Sequence, residues 1–338
     1  MNFYFYLNRM IYNLSYDKNV SHIEEILHCS VVNGKGKYYG KYVSYLLYGS
    51  ASIDKLRQLE YVLKKHIEII VKDYNFILKV YHYSLPTYIE YEAHESKDLI
   101  LGIGYNGLVK ISMNTEVNNY LICGCSGSGK STLAISIIKN LIDNDVEVII
   151  CDNKESFDYN GLKAPLHKGV ESCLYQLNKF EAIINKRMKV NKHHAPLLLI
   201  IDEVFPFLTL DSKERKRVMN QLALIMSKSR SVNCHICIIT QRCTTDIIDA
   251  KLLANISNRI CLATSSKQES LNVLNTDIAF DIDIKGRGYL SINGHLQEFQ
   301  SYYYKPPKIS QNEAIADVAE SVKIESEVPS QDEVIYFD

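Results

Sequence analysis

The chain has 338 residues, of which 46% are hydrophobic and 23% charged, and its formal net charge is −1. This composition is typical of a globular protein with one large or two ordinary domains, and the near-zero charge excludes a general electrostatic attraction for nucleic acid. No charge-free apolar run of about 18 residues occurs, so we expect no membrane span, and the Asn- and Arg-interrupted start does not predict a signal peptide.

Residues 1–100 mix helical and strand patterns. A capping box formed by Ser21 and Glu24 predicts a short helix, and apolar residues at helical spacing predict a longer one over residues 52–71. The flanking segments are rich in Tyr, Val and Ile, which is typical of strands. We therefore predict a small accessory α/β domain over residues 1–100.

From residue 101 to 304 the pattern changes. Short apolar runs such as "VEVIICD" and "PLLLIIDE" alternate with helical segments. This alternation favours a mostly parallel sheet covered by helices on both faces. Residues 305–338 are poor in aromatics and biased towards acidic residues, which predicts a flexible acidic tail.

The nine cysteines mostly favour reduced thiols. Five lie in or beside apolar runs, as do thiols that serve as small hydrophobic side chains in the cytoplasm: Cys123, Cys125, Cys151, Cys237 and Cys261. Cys234 and Cys237 have the spacing of zinc ligands, but no second pair follows at the spacing of a zinc site. We expect a cytoplasmic protein without a structural zinc.

A glycine-rich loop follows the apolar run "NYLIC" and precedes an amphipathic helical segment. It matches the P-loop pattern G-x-x-x-x-G-K-[ST], in which backbone N–H groups and the helix N-terminus bind phosphate. Lys130 would reach the β- and γ-phosphates, and the Ser131 hydroxyl would bind Mg²⁺. The predicted nucleotide-binding residues are Gly124, Cys125, Ser126, Gly127, Ser128, Gly129, Lys130, Ser131 and Thr132.

Two adjacent carboxylates end the apolar run "PLLLIIDE". Asp202 is placed to bind Mg²⁺, and Glu203 is placed to polarise the water that attacks the γ-phosphate. The alternative is an acidic helix N-terminus that serves only the helix dipole. Because no guanine-reading N-K-x-D is evident, we expect an ATPase that uses ATP and Mg²⁺.

The sequence resembles the motor domain of the FtsK/SpoIIIE DNA translocases from about Leu101 to about Gln300. The stretches that carry the resemblance are "LGIGYNGLVKISMNTEVNNYLICGCSGSGKST", "VEVIICDNK", "LLLIIDEVFPFL" and "MSKSRSVNCHICIITQRCTTDIIDAKLLANISNRICLATSSKQESLNVLN". The resemblance implies a RecA-like α/β ATPase fold. It also implies an ATP-driven translocase of double-stranded DNA, and the small size suggests a plasmid, conjugative element or phage.

The resemblance also implies roles for single residues. Gln241 corresponds to the polar sensor at a strand end, although a strand-capping amide is the alternative. Arg230 corresponds to an arginine finger that reaches a neighbour's nucleotide, which implies a homo-oligomeric ring, expected to be a hexamer. The alternative for Arg230 is a solvated helical arginine. Arg259 corresponds to a structural or nucleotide-proximal position, and residues 152–154 correspond to the family's Asp-Pro-Lys.

The sequence departs from the family at several points. Cys243 replaces the proline of the TQRP motif, and Val204 replaces the phenylalanine after the carboxylate pair. The membrane anchor and the DNA-reading winged helix of large translocases are not evident, so neither septum anchoring nor sequence-guided direction is expected.

For DNA contact we predict Lys285 and Arg287, which flank Gly286 and could present charge to phosphates from a pore loop; a basic surface turn is the alternative. Two other functions stay open. The motor could move protein, as secretion ATPases do, or the chain could be a nucleotide-gated adaptor that recruits a relaxase or replication protein.

Overall fold

The computed structural model describes two compact units, Met1–Pro86 and Thr87–Asp338. The described residues are 19–32, 37–38, 41–48, 53–72, 75–113, 118–156, 158–190, 193–244 and 250–306. The predicted acidic tail lies outside the described residues from residue 307 onwards. No helix among the described residues has both the length and the hydropathy needed to cross a membrane.

The first unit is a small antiparallel sheet with helices. Its helices are α1 (residues 19–27) and α2 (Ile53–Leu63), and its strands are β1 (Ser30–Val31), β2 (Lys37–Tyr38), β3 (Tyr42–Tyr48), β4 (Ile67–Lys72) and β5 (Asn75–Tyr81). The strand order is β1-β3-β5-β4, with β2 also paired to β3. Ile23 and Leu59 from the two helices pack with Tyr45 and Leu78 in its core.

The helix expected over residues 52–71 is shorter than predicted. α2 ends at Leu63, and Lys64 has a left-handed φ of 52°. The following "IEIIVK" forms β4, because a run of β-branched residues favours a strand over continued helix.

The second unit contains a ten-stranded sheet of order β10-β9-β11-β12-β8-β13-β14-β15-β6-β7. Its parallel strands are β8 (Asn119–Cys123), β9 (Glu147–Asp152), β10 (Leu166–Lys168), β11 (Leu197–Asp202), β12 (Cys234–Thr240) and β13 (Asn258–Leu262). An antiparallel extension is formed by β6 (Leu99–Gly104), β7 (Gly107–Ile111), β14 (Arg287–Ile292) and β15 (His295–Ser301). The predicted parallel core is confirmed.

Helices cover both faces of this sheet. They are α3 (Lys130–Asp143), α4 (Val170–Met188), α5 (Phe205–Leu208), α6 (Ser212–Ser229), α7 (Ala250–Ala254) and α8 (Lys267–Leu274). Successive β11 residues alternate between the two faces. Leu197 and Leu199 pack in one core cluster with α4 and α6, whereas Leu198 and Ile200 pack in the other with α3.

The boundary between the units lies earlier than the predicted position at residue 100. Residues 87–98 join the second unit through backbone pairing: the Tyr91 N–H donates to the Tyr303 carbonyl at 3.0 Å, and the Tyr303 N–H donates to the Ile89 carbonyl at 2.8 Å. The Asn140 side chain of α3 also donates to the Ser96 carbonyl at 2.8 Å. These contacts join residues far apart in sequence, which local patterns do not reveal.

One cysteine pair differs from the expectation of reduced thiols. Cys123, at the end of β8, and Cys243, after β12, form a disulfide with a Cα–Cα distance of 6.6 Å. The register pairs Thr240 with Cys123, so the loop that follows β12 passes beside the end of β8. The other seven cysteines are free, and six of them are buried.

The strand register brings the predicted motifs to one edge of the sheet. Asp202 at the end of β11 pairs with Asp152 on one side and Ile239 on the other, and Thr240 pairs with Cys123. Because these strands are parallel, the loops after β8, β9, β11 and β12 all begin at this carboxyl edge.

Candidate active site

The loop after β8 has the backbone of a phosphate-binding loop. Gly127 and Gly129 have φ values of 80° and 106°, a region that favours glycine, and α3 begins at Lys130 directly after them. The Cys125 N–H donates to the Ala263 carbonyl at 2.7 Å, which ties the loop to the residue after β13. The N-terminus of α3 thus lies at the carboxyl edge, where Gly129, Lys130 and Ser131 line a cleft.

Lys130 is held over this loop. Its Nζ donates to the Cys125 carbonyl at 2.7 Å, and the residue is 6% exposed. Burial, with a smaller contribution from the nearby Lys154 ammonium, lowers the pKa of Lys130. A phosphate group would supply the negative charge that favours the protonated ammonium.

A cleft of about 330 Å³ opens beside the loop. It is lined by Ser126, Gly127, Gly129, Lys130, Ser131, Thr132, Lys154, Asp158, Gln241 and Lys285. Six of the nine predicted nucleotide-binding residues thus line one cleft together with the predicted sensor Gln241. We call it the phosphate cleft.

Asp202 is buried at the end of β11 and has two polar partners from the loop after β9. The Lys154 Nζ lies 3.2 Å from Asp202 Oδ1, and the Tyr159 hydroxyl donates to Oδ2 at 2.8 Å. Tyr159 is fully buried, and its pKa is raised well above its usual value by burial and by the Asp202 carboxylate. Sequence reasoning did not identify Tyr159, since a single tyrosine in a loop gives no local signal.

Glu203 lies directly after β11 in a strained backbone conformation. Its φ is 66°, the left-handed region that non-glycine residues rarely adopt. The Glu203 N–H donates to the Ile239 carbonyl at 2.9 Å, and the Glu203 carbonyl accepts from Asn153 Nδ2 at 2.8 Å. These two bonds hold the strained residue at the carboxyl edge.

The Glu203 carboxylate is aligned by the end of β12. Oε1 accepts from the Thr240 hydroxyl at 3.0 Å, and Oε2 accepts from the Gln241 N–H at 3.2 Å. The Lys154 Nζ lies 3.6 Å from Oε2. These contacts fix the orientation of the carboxylate, and a general base must be positioned towards the proton that it takes. Thr240 was not predicted, although it precedes the predicted sensor.

The residues at this edge fit a divalent cation. The Ser131 hydroxyl and the Asp202 carboxylate are oxygen donors of the kind that Mg²⁺ prefers. The Lys154 ammonium at Asp202 shows that this carboxylate accepts a cationic partner here. Mg²⁺ held by these two residues would neutralise charge on the β- and γ-phosphate oxygens.

Arg230 lies at the opposite edge of the sheet. It is exposed and forms the C-cap of α6, just before β12 begins at Cys234. The seven residues of β12 separate it from Gln241, a distance of roughly 20 Å at about 3.3 Å per residue. Arg230 therefore cannot reach the phosphate cleft of its own chain.

Two further residues singled out in the sequence have structural contacts. The Arg259 guanidinium donates to the carbonyls of Ile256, Leu253 and Val273 at 3.1–3.2 Å, so it ties together the ends of nearby helices. The Asp152 carboxylate accepts from the Lys154 N–H at 3.0 Å and shapes the turn that carries the Lys154 side chain.

Of the two residues predicted to contact DNA, Lys285 is exposed and Arg287 is buried. Arg287 is 7% exposed, its Nη1 donates to Glu298 Oε1 at 2.9 Å, and its Nε donates to Gln300 Oε1 at 3.1 Å. The Gly286 N–H donates to the Ser128 carbonyl at 2.8 Å, so this loop rests on the P-loop. Lys285 lines the phosphate cleft. The glycine-flanked basic pattern indicated an exposed turn, but strand pairing of β14 with β15 buries the arginine.

Comparison with known proteins agrees with this geometry. Residues 120–264 match the family "ATPase family associated with various cellular activities (AAA)". The chain is 29% identical over 216 residues to the DNA translocase FtsK of Clostridium acetobutylicum, covering 55% of this chain and 28% of that protein. It is 24% identical over 246 residues to the type VII secretion system protein EssC of Staphylococcus aureus, covering 62% and 16% respectively.

Among solved structures, the pCW3 conjugation coupling protein TcpA with ATPγS superposes with a TM-score of 0.61 at 18% identity, covering 90% of this chain and 99% of that one. This likeness concerns the fold. The fold, the P-loop and the paired carboxylates define the second unit as a RecA-like P-loop ATPase. Within that class the sequence is similar to the DNA translocase FtsK, in line with the sequence resemblance. The chain spans about a quarter of the length of the Clostridium relative.

Proposed function

We propose that this chain is an ATP-driven translocase of double-stranded DNA that serves the transfer or maintenance of a mobile element. The proposal rests on one observation: the Thr240 hydroxyl and the Gln241 N–H each donate a hydrogen bond to the Glu203 carboxylate. A carboxylate held in this way at the γ-phosphate end of the cleft supports turnover, which a passive adaptor does not need.

In the proposed reaction the P-loop N–H groups and Lys130 hold the triphosphate. Glu203 takes a proton from a water molecule while the water oxygen bonds to the γ-phosphorus. The bond between the γ-phosphorus and the bridging β–γ oxygen then breaks, and ADP leaves with that oxygen. The Gln241 side chain, at the cleft wall, orients that water or the γ-phosphate. Asp202 and Ser131 would hold Mg²⁺, which would neutralise phosphate charge.

The position of Arg230 supports an assembly in which each site is completed by a neighbour. The residue is exposed and lies at the edge of the sheet opposite its own P-loop. An arginine that enters a neighbouring site stabilises transition-state charge and is worth about 10³–10⁵ in rate. We propose a homo-oligomeric ring, with six subunits as the expected number, in the cytoplasm.

Double-stranded DNA is the proposed substrate because the relatives include a DNA translocase and a conjugation coupling protein. Because Arg287 is buried, the exposed Lys285 stays the proposed DNA contact in the loop between β13 and β14. A relaxase or replication protein is the proposed further partner of a motor that serves a mobile element.

Transport of protein is the second candidate, and the match to EssC, a secretion system protein, favours it. The test is ATP turnover by the assembled protein with and without linear duplex DNA of increasing length. A DNA translocase should be stimulated by duplex, and more strongly by longer duplex. Turnover that is indifferent to DNA at low and moderate salt would contradict the proposal, and the Lys130→Ala protein supplies the background rate.

A further inference from the structure

A second cleft continues from the phosphate cleft past the start of α3. It has a volume of about 200 Å³ and shares Gly129, Thr132 and Lys285 with the phosphate cleft. Beyond the shared residues its walls include residues 87–89 and Tyr303. Ligand sites usually enclose about 300–1,000 Å³, so the two clefts together have the size of one nucleotide site.

The chemistry of the joined cleft fixes the direction in which a nucleotide would lie. Lys154 and Gln241 line the phosphate cleft, and both contact Glu203, so the γ-phosphate belongs at that end. Thr132 follows the P-loop motif and borders both clefts. A triphosphate held by the P-loop therefore directs its ribose and base past Thr132 into the second cleft.

Two tyrosines, Tyr88 and Tyr303, line this cleft beyond the residues that it shares with the phosphate cleft. The Tyr88 and Tyr303 ring centroids are 5.6 Å apart at an interplanar angle of 44°. Backbone pairing fixes both positions, because the Tyr303 N–H donates to the Ile89 carbonyl at 2.8 Å and Glu90 forms a bridge with Tyr303. The rings are thus presented by a rigid part of the unit.

Packing within the core does not account for this pair. Tyr88 and Tyr303 are 60% and 40% exposed, whereas the adjacent Tyr302 is 2% exposed and packs against Tyr91 and His94. The neighbouring tyrosines thus have different environments: Tyr302 lies inside the unit, and Tyr303 faces the second cleft.

We propose that Tyr88 and Tyr303 bind the nucleobase by stacking. This inference rests on the proposed nucleotide hydrolysis. It adds the position of the nucleobase and the contacts that bind it. Because every base has a π-face, stacking tolerates different bases. A site that reads a base through buried hydrogen-bonding groups can instead discriminate by about 10⁴ or more. The motor should therefore turn over other nucleoside triphosphates with KM values within about ten-fold of that for ATP.

The test compares ATP with inorganic tripolyphosphate, which has the phosphates without the base. Dissociation constants for both are measured on the whole protein and on Tyr88→Ala and Tyr303→Ala. Each substitution should weaken ATP binding roughly ten-fold, the effect of losing one base–aromatic stack, and leave tripolyphosphate binding unchanged. Tyr303→Phe should restore ATP binding, because it keeps the aromatic face.

Tyr175→Ala is the matched control, since Tyr175 is 55% exposed on α4 and lines neither cleft. In turnover the tyrosine substitutions should raise KM and leave kcat unchanged. The base site alone would be overturned if the alanine variants bound ATP and tripolyphosphate with equally reduced affinity. It would also be overturned if both alanine variants bound ATP with the parental affinity. A parental protein that binds neither compound would contradict the proposed function, and the base site with it.

Discussion

Replacing Arg287 with alanine should destabilise the second unit rather than remove a DNA contact. The Arg287 guanidinium bonds to Glu298 at 2.9 Å and to Gln300 at 3.1 Å. The exposed fractions of the Arg287 and Glu298 side chains are 9% and 12%, so solvent screens this pair weakly. The substitution removes the guanidinium from a largely buried carboxylate and leaves a cavity beside it.

Removing one partner of a buried ion pair typically costs about 3–5 kcal/mol of unfolding free energy. For a domain of about 150–250 residues, each kcal/mol shifts the melting temperature by about 2–4 °C. The expected decrease in Tm is therefore roughly 10 °C. Glu298→Gln combined with Arg287→Met should recover part of it, because no unpaired charge then remains buried.

Thermal unfolding monitored by circular dichroism provides the assay. Arg217→Ala is the control, because Arg217 is exposed on α6 and surface substitutions usually change stability by less than about 0.5 kcal/mol. An Arg287→Ala protein with the parental Tm that has lost DNA-stimulated turnover would refute this reasoning and restore the DNA-contact interpretation.

Three further predictions concern the active site and the sheet. Glu203→Gln should bind ATP with parental affinity but hydrolyse it at least about 100-fold more slowly, since water activation is lost; parental turnover would refute the assignment. Arg230→Ala should lower the turnover rate by a factor of about 10³ or more. Mixing it with Lys130→Ala protein should restore some activity, because a site can then form with an intact Lys130 on one subunit and an intact Arg230 on its neighbour. No recovery, with both proteins assembled, would contradict action in trans. Burial lowers the pKa of His235 to about 4, below the unfolded value of about 6.5. The unfolded state therefore binds more protons, so about 3 kcal/mol of stability present above pH 6.5 should be lost as the pH falls to 4; urea unfolding at several pH values should show a smaller loss for His235→Gln.

The parallel core of the second unit could be predicted because its signals are local. The strand β11 is a continuous apolar run up to Asp202, and β12 is apolar except for His235 before it ends at Thr240. Since parallel strands end at one edge, the parallel core brings the P-loop, the carboxylate pair and Gln241 to the same edge.

The antiparallel extension of the sheet could not be predicted in the same way. β15 pairs with β6, although nearly two hundred residues separate them, and residues 87–91 pair with Tyr303 through the backbone. Such pairing has no local sequence pattern. The Tyr159 contact to Asp202 was missed for the same reason, because 43 residues separate the two. The burial of Arg287 instead depends on Glu298 and Gln300, which face it across the β14–β15 pairing.

Displacement of a third strand from duplex DNA tests the central claim most directly. A triplex-forming oligonucleotide is bound at one end of a linear duplex, and its release is followed over time with ATP, without ATP, and with the Glu203→Gln protein. A translocase should release the oligonucleotide only with ATP and the parental protein, after a delay that grows with the length of duplex ahead of the triplex. ATP hydrolysis without any release, by assembled protein that binds the duplex, would contradict DNA translocation.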